Sequence, residues 1–199
     1  MGLLTVVANA QRQADFFSGE QAMPDGFVYR QDVLSAEEER PVVERLALLP
    51  FAPFEFHGFQ GRRRVVSFGW RYDYAGRQIR PSAQLPEFLL PLRERAAQVG
   101  GLAPESLQQV LVTEYAPGAP IGWHRDKPMF QVVVAISFLA PCRLRFRRRL
   151  RDGWERRALD VMPRSAYVLS GAARTEWEHS IPPLSALRYS VTFRNLRDS

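Results

Sequence analysis

From about residue 108 onward the chain breaks into short apolar or alternating runs: "QQVLVTEY", "QVVVAISFL", "RLRFRRR", "RRALDVM", "AYVLSG", "EWEHSI" and "RYSVTFRNL". Turn-forming segments ("APGAP", "RDG", "MPRS", "SG" and "PP") separate them. A strand of this length buries one face and needs a second layer to bury it against. Many such strands, closely punctuated, predict a sandwich, jelly roll or barrel. The upstream half reads differently. "PDGFVYRQDVLSAEEERPVVERLALLP" gives a strand and then a helix. Ser35 and Glu38 have the spacing of a capping box, and Pro41 is a point of kink or restart. "PEFLLPLRERAAQVGG" is a second helix closed by Gly100 and Gly101. The expected fold is therefore mainly β with flanking helices.

A length of 199 residues suits one domain, and 46% apolar residues excludes a disordered chain. There is no repeat and no linker long enough to divide the chain. Residues 1–25 are expected to be loosely attached and 26–199 to form the domain. The single cysteine, Cys142, excludes a disulfide framework and a cysteine-built zinc cluster, and fits a reducing cytoplasm. It is expected to be a buried small apolar residue. The start, "MGLLTVVANAQRQADFF", has neither a basic n-region nor a long apolar stretch, so it reads as neither a secretory signal nor a membrane span.

The net charge is +6 and the pI about 10.1, and Lys127 is the only lysine, so the positive charge is almost all arginine. A basic surface predicts an anionic partner, nucleic acid first. The densest run is "RLRFRRRLRDGWERR", in which Arg143, Arg145 and Arg147 alternate with Leu144 and Phe146. It is either a solvated sheet face or a surface that follows phosphates.

Three histidines are present: His57, His124 and His179. In "GWHRDKP", His124 and Asp126 are two apart, so on extended backbone they project to one side. Two histidines and one carboxylate on one face of an octahedron are the donor set of mononuclear non-haem iron. His179, late in the strand run, is the better second histidine on chain order. In "RYSVTFR", Arg188 and Arg194 share a face, opposite Tyr189, Val191 and Phe193. Two arginines on one face of an apolar strand are costly to bury unless they meet anions, and planar guanidinium groups suit bidentate carboxylates. A pair of solvent-exposed arginines gives the same pattern.

Taken together, "LVTEYAPGAPIGWHRD", "AYVLSGAARTEWEHSI" and "RYSVTFR" resemble the AlkB family of iron(II)- and 2-oxoglutarate-dependent dioxygenases, over about residues 25–197. The order and spacing carry the likeness: Tyr115 nine before His124, then H-x-D, then G-x-x-R-x-x-W-x-H-x-I, then R-x5-R. The resemblance implies a double-stranded β-helix, a jelly-roll variant. It implies Fe(II), with His124, Asp126 and His179 as ligands, and 2-oxoglutarate and O2 as cosubstrates. By the same resemblance Arg188 pairs with the distal carboxylate of 2-oxoglutarate, Tyr115 and Thr113 contact the cosubstrate, and Arg194 lies nearer the iron and Asp126. Trp177 and Ile181 are packing residues. The implied activity is oxidative removal of N-alkyl groups from bases in DNA or RNA, as in DNA repair. The alternative is hydroxylation of tRNA or of a protein side chain on the same iron core. A non-enzymatic nucleic-acid-binding module has no reason to keep all five polar site residues, and a zinc hydrolase would need no arginine pair.

Two positions depart from the family pattern. Thr113 stands where Asn is frequent, and Pro128 stands where the bacterial demethylase has an acidic residue that helps select the base. Pro128 counts against repair of methylated adenine and cytosine. "RRRVVSFGWRYDY" lies where the family has a substrate-reading lid, and resembles the tRNA wobble-uridine hydroxylase branch. Its Phe68, Trp70, Tyr72 and Tyr74 alternate and are expected on one face, either stacking bases or forming hairpin core. Arg64 and Lys127 are expected to contact the substrate too, and His57 to be a lid or turn residue.

Overall fold

The computed structural model describes residues 22–56, 59–73, 76 and 78–197, without the side chains of 55, 56, 59 and 60. Residues 1–21, and with them most of the expected loose segment, lie outside the described residues, as do His57 and Tyr74. The strands are β1 (Phe27–Arg30), β2 (Ala52–Phe56), β3 (Phe59–Phe68), β4 (Trp70–Asp73), β5 (Gln78–Pro81), β6 (Gln109–Tyr115), β7 (Ile121–His124), β8 (Phe130–Phe138), β9 (Cys142–Leu150), β10 (Gly153–Val161), β11 (Ala166–Leu169), β12 (Glu178–Ile181) and β13 (Arg188–Leu196). The helices are α1 (Ala36–Ala47), α2 (Leu90–Gly100) and a single turn, α3 (Gly171–Thr175).

The strands form a jelly roll. A seven-stranded sheet runs β1-β11-β8-β13-β6-β3-β2, a four-stranded sheet runs β10-β9-β12-β7, and β4 pairs with β5 alone. Every strand pairing in these sheets is antiparallel. Period-two alternation then sorts the side chains into two cores. On β8, Val134, Ile136 and Phe138 face α1 and α2, while Val133 and Ala135 face the four-stranded sheet. On β13, Tyr189, Val191 and Phe193 join the helix-side core. Arg188, Ser190, Thr192 and Arg194 are thereby turned into the space between the sheets, and all four are buried.

The helices cover the outer face of the large sheet. The Ser35 hydroxyl accepts from the Glu38 N–H, and Glu38 accepts from the Ser35 N–H, closing the capping box. The helix continues through Pro41 without the expected restart. α2 ends on Gly101, whose φ of 65° is the left-handed conformation that glycine adopts without penalty. No helix among the described residues is long and apolar enough to cross a membrane.

Candidate active site

β7 and β12 place the two histidines opposite each other. His179 pairs with His124 across the ladder, and their ring centroids are 4.2 Å apart. Asp126 lies two residues past the end of β7, and its Oδ2 is 3.6 Å from His179 Nε2. One donor atom from each of the three lies within 4.8 Å of the others. The site faces inward: on β12 and β9 the registered partner of His179 is Phe146, a fully buried residue of the inter-sheet core.

The surrounding groups prepare these side chains to be ligands. His124 Nδ1 is 2.9 Å from the Gly122 carbonyl, so Nδ1 donates and Nε2 keeps its lone pair for a metal. Burial lowers the His124 pKa. Burial, and then the adjacent His124 ring, push His179 down to about 3, so both imidazoles are neutral. Burial by itself would raise the Asp126 carboxyl, but the Arg194 guanidinium outweighs it and holds the group well below the usual carboxylate range. Asp126 Oδ1 accepts from Arg194 Nε at 3.0 Å and Nη2 at 2.8 Å, while Arg194 Nη1 donates to Gln109 at 2.8 Å. Arg194 therefore has carboxylate and amide partners within the protein.

Arg188, six residues earlier on the same face, is different. It is fully buried, and its Nε donates to Ser137 Oγ at 3.0 Å. Its Nη1 and Nη2 have no hydrogen-bond partner among the described residues. Tyr115, its registered partner on β6, lies with its ring 5.1 Å from the guanidinium. Burial raises the Tyr115 pKa, so it remains a neutral phenol. Thr113 is buried two residues away on the same face of β6. An uncompensated buried guanidinium is expensive and calls for a carboxylate or phosphate. A metal-bound ligand ending in a carboxylate fits that fork, and the His-Asp-His donor set fits divalent iron with open positions.

Arg174, unremarked in the sequence beyond its place in a motif, supports the metal side. Its Nε donates to the Phe130 carbonyl at 3.0 Å, and its Nη2 donates to the Phe130 carbonyl at 2.6 Å and also to that of Lys127. It ties down the turn that follows Asp126. The usable signal was an arginine between small residues in "GAARTEW"; nothing in the sequence marks Gln109 or Ser137.

The substrate residues expected from the lid segment do not gather in one place. Gly69 has a φ of 70°, and a Cβ there would lie 2.1 Å from the Gln108 carbonyl, so the chain breaks direction between β3 and β4. Phe68 is therefore not on a shared face with Trp70 and Tyr72. It is 5% exposed and packs in the helix-side core. Arg64 is likewise turned to the helix side, where it donates bidentately to Glu114 at 2.7 and 3.0 Å. Its neighbour Arg63 is turned the other way, and its charge is felt at Tyr115 and His124. Tyr72 and Lys127 do meet, with the ammonium 4.5 Å from the ring centroid, one residue from Asp126. Trp70 is half-buried on β4. Trp177 and Ile181 pack in the inter-sheet core, as does Cys142.

Known proteins bear on this arrangement. A family model described as "2OG-Fe(II) oxygenase superfamily" matches residues 26–194. A protein of Arabidopsis thaliana named "Alkylated DNA repair protein ALKBH8 homolog" is 30% identical over 173 residues, 69% of this chain and 50% of that protein. The mouse "tRNA (carboxymethyluridine(34)-5-O)-methyltransferase ALKBH8" is 24% identical over 174 residues, 83% of this chain and 25% of that protein. The chain thus spans half or less of the length of these curated relatives. Among solved structures, "The structure of OsALKBH1" superposes with a TM-score of 0.64 at 18% identity, covering 88% of this chain and 99% of that one. A prolyl-4-hydroxylase of Pseudomonas putida superposes with a TM-score of 0.57 at 17% identity, covering 87% and 94%. With the jelly roll, the inward His-Asp-His cluster and the unpaired Arg188, these likenesses identify the chain as an AlkB-type member of the 2OG-Fe(II) oxygenase superfamily, a dioxygenase domain that uses Fe(II), 2-oxoglutarate and O2.

Proposed function

We propose that this domain oxidises a carbon on a nucleic-acid base, in the first instance an N-alkyl carbon of DNA or RNA. The reading rests on one observation above all: the His124, Asp126 and His179 cluster shares the inner face with the buried Arg188 fork, whose two Nη atoms have no hydrogen-bond partner among the described residues. His124, Asp126 and His179 would hold the iron, and Arg188 the distal carboxylate of 2-oxoglutarate, with Tyr115 and Thr113 beside it. Bound there, iron with 2-oxoglutarate and O2 inserts one oxygen atom into a substrate C–H bond, as 2-oxoglutarate is converted to succinate and carbon dioxide. Arg194 keeps Asp126 ionised and fixed in direction. The apolar walls from Phe146, Trp177 and Ile181 keep water from the reacting carbon. A hydroxylated N-methyl group falls apart to formaldehyde and a free ring N–H. The base must leave its stack to enter, and Tyr72 with Lys127 stands at the loop beside Asp126 to receive it. Arg63 adds a cation on the same side.

A second reading is hydroxylation of a tRNA base with no carbon lost. Pro128, in place of an acidic residue, leaves the H-x-D-K stretch without a carboxylate to select methylated adenine or cytosine, and the mouse relative is by its name a tRNA-modifying protein. Mass spectrometry decides. The protein, with iron(II), 2-oxoglutarate and ascorbate, is presented with methylated single-stranded DNA and RNA and with bulk tRNA. Loss of a CH2 equivalent supports dealkylation, and gain of one oxygen on tRNA supports the second reading. Succinate formation with every nucleic acid unchanged would overturn both.

A further inference from the structure

The four-stranded sheet has an outer face that the chemistry above does not use. Leu144, Phe146 and Val161 point inward and are fully buried, so their neighbours on β9 and β10 point outward. The register places Arg143, Arg145, Arg147 and Arg149 of β9 across from Asp160, Ala158, Arg156 and Trp154 of β10. Ser180 and Glu178 of β12 lie beside Arg145 and Arg147. Five arginines thus face two carboxylates. Arg147 donates to Glu178 at 2.6 Å and Arg143 to Asp160 at 3.0 Å. Arg145 donates to the Ser180 hydroxyl at 3.1 Å, and Arg145, Arg149 and Arg156 form no ion pair among the described residues.

Two half-exposed tryptophans are interleaved with these cations. Arg149 lies 5.4 Å and Arg147 4.3 Å from the Trp154 ring centroid, and Arg147 and Arg145 lie 4.5 and 5.1 Å from that of Trp123. The row Trp154, Arg147, Trp123 crosses the sheet from β10 to β7, its two edge strands, with Arg149 and Arg145 of β9 beside its two tryptophans. The residue after Trp123 is His124, on the opposite face. A strand lying along this row would turn around the β7 edge into the candidate active site.

We infer that this outer face is a docking track for single-stranded RNA, whose phosphates lie on Arg145, Arg149 and Arg156 and whose bases meet Trp123 and Trp154. The inference rests on the nucleic-acid reading above. A flat sheet carrying aromatics and unpaired guanidinium groups offers both elements of single-strand recognition, stacking and backbone neutralisation. RNA is chosen as the occupant on the name of the mouse relative, a tRNA-modifying protein, and the DNA arm of the test answers to the Arabidopsis relative, named for DNA repair.

The test compares the full chain with R149Q/R156Q, two exposed positions that pair with no carboxylate among the described residues. R30Q/R40Q, exposed arginines on β1 and α1, is the charge-matched control. Binding of a fluorescently labelled oligouridylate is followed by anisotropy across a salt series. The expected result for R149Q/R156Q is binding weaker by about ten-fold at low salt, with a salt dependence shallower by about 0.7 per arginine removed. Recovery in R149K/R156K, no change in R30Q/R40Q and unaltered 2-oxoglutarate turnover without nucleic acid are also expected. Equal affinity and slope in R149Q/R156Q and the parent would overturn the docking track alone, and so would tighter binding of a matched DNA strand. Failure of the parent to bind any nucleic acid would overturn the underlying reading as well.

Discussion

Arg188 and Arg194 stand on one strand, on one face, buried in one inter-sheet space, yet their surroundings are opposite. At one end of β13, Arg194 is held by Asp126 and Gln109, each within 3.0 Å. At the other end, Arg188 has one hydroxyl partner and two nitrogens without any among the described residues. The first end is complete as folded: its cation orients Asp126, a candidate metal ligand. The second is a buried cation without a counter-charge among the described residues, the place the proposed function gives to the distal carboxylate of 2-oxoglutarate. On the proposed assignment, the work of holding iron falls to the Arg194 end and that of selecting 2-oxoglutarate to the Arg188 end.

Substitutions sharpen or break this contrast. The largest effect is expected at the metal: His124→Ala removes an imidazole donor and should abolish iron-dependent succinate formation while circular dichroism remains unchanged. Turnover in that variant would remove His124 from the ligand set. Next is Arg194→Met, which leaves Asp126 buried without its cation. Denaturant unfolding of the metal-free protein should show a loss of about 3–5 kcal/mol. A loss under about 1 kcal/mol would mean that the pair is no part of the frame.

Arg188→Met should do the reverse. The metal-free fold should be as stable as the parent or more so, because an unpaired buried cation is replaced by an apolar chain of similar length. The KM for 2-oxoglutarate should rise by about 100-fold, the worth of two charge-assisted hydrogen bonds at the low end of their range. Arg174→Met, which frees the turn after Asp126, should weaken iron binding about ten-fold, as loss of an outer-shell support does. Iron titration with a chelator checks it, and unchanged affinity would reduce Arg174 to packing. The smallest effect is at the mouth: Tyr72→Ala should raise the KM for nucleic acid only a few-fold, the scale of one exposed cation–π contact. Phe68→Ala should leave that KM alone and cost about 3–5 kcal/mol of stability.

The sequence made the β13 face readable because a strand has only two sides, and Tyr189, Val191 and Phe193 claimed one of them. The jelly roll was readable for a similar reason, since short alternating runs cannot be buried singly. The meeting of His124 with His179 was not readable from spacing, because it depends on a ladder between strands more than fifty residues apart; the family resemblance supplied it. The lid segment misled at one residue. The alternation of Phe68, Trp70 and Tyr72 holds only while the strand continues, and Gly69 ends it where the Gln108 carbonyl approaches. Between Arg63 and Arg64 a three-arginine run gives no register, so which one faces the site is settled only by pairing with β6. Arg174 was hidden because its partners are backbone carbonyls, which no side-chain pattern announces.

The most direct measurement of the central claim is calorimetric titration of 2-oxoglutarate into the iron(II)-loaded protein without oxygen, for the parent, Arg188→Met and Arg194→Lys. The predicted result is one site in the parent, about 100-fold weaker in Arg188→Met and within a few-fold of the parent in Arg194→Lys, whose cation still faces Asp126. Equal affinity in the parent and Arg188→Met, or no binding in the parent at all, would contradict the assignment of that buried guanidinium to the cosubstrate.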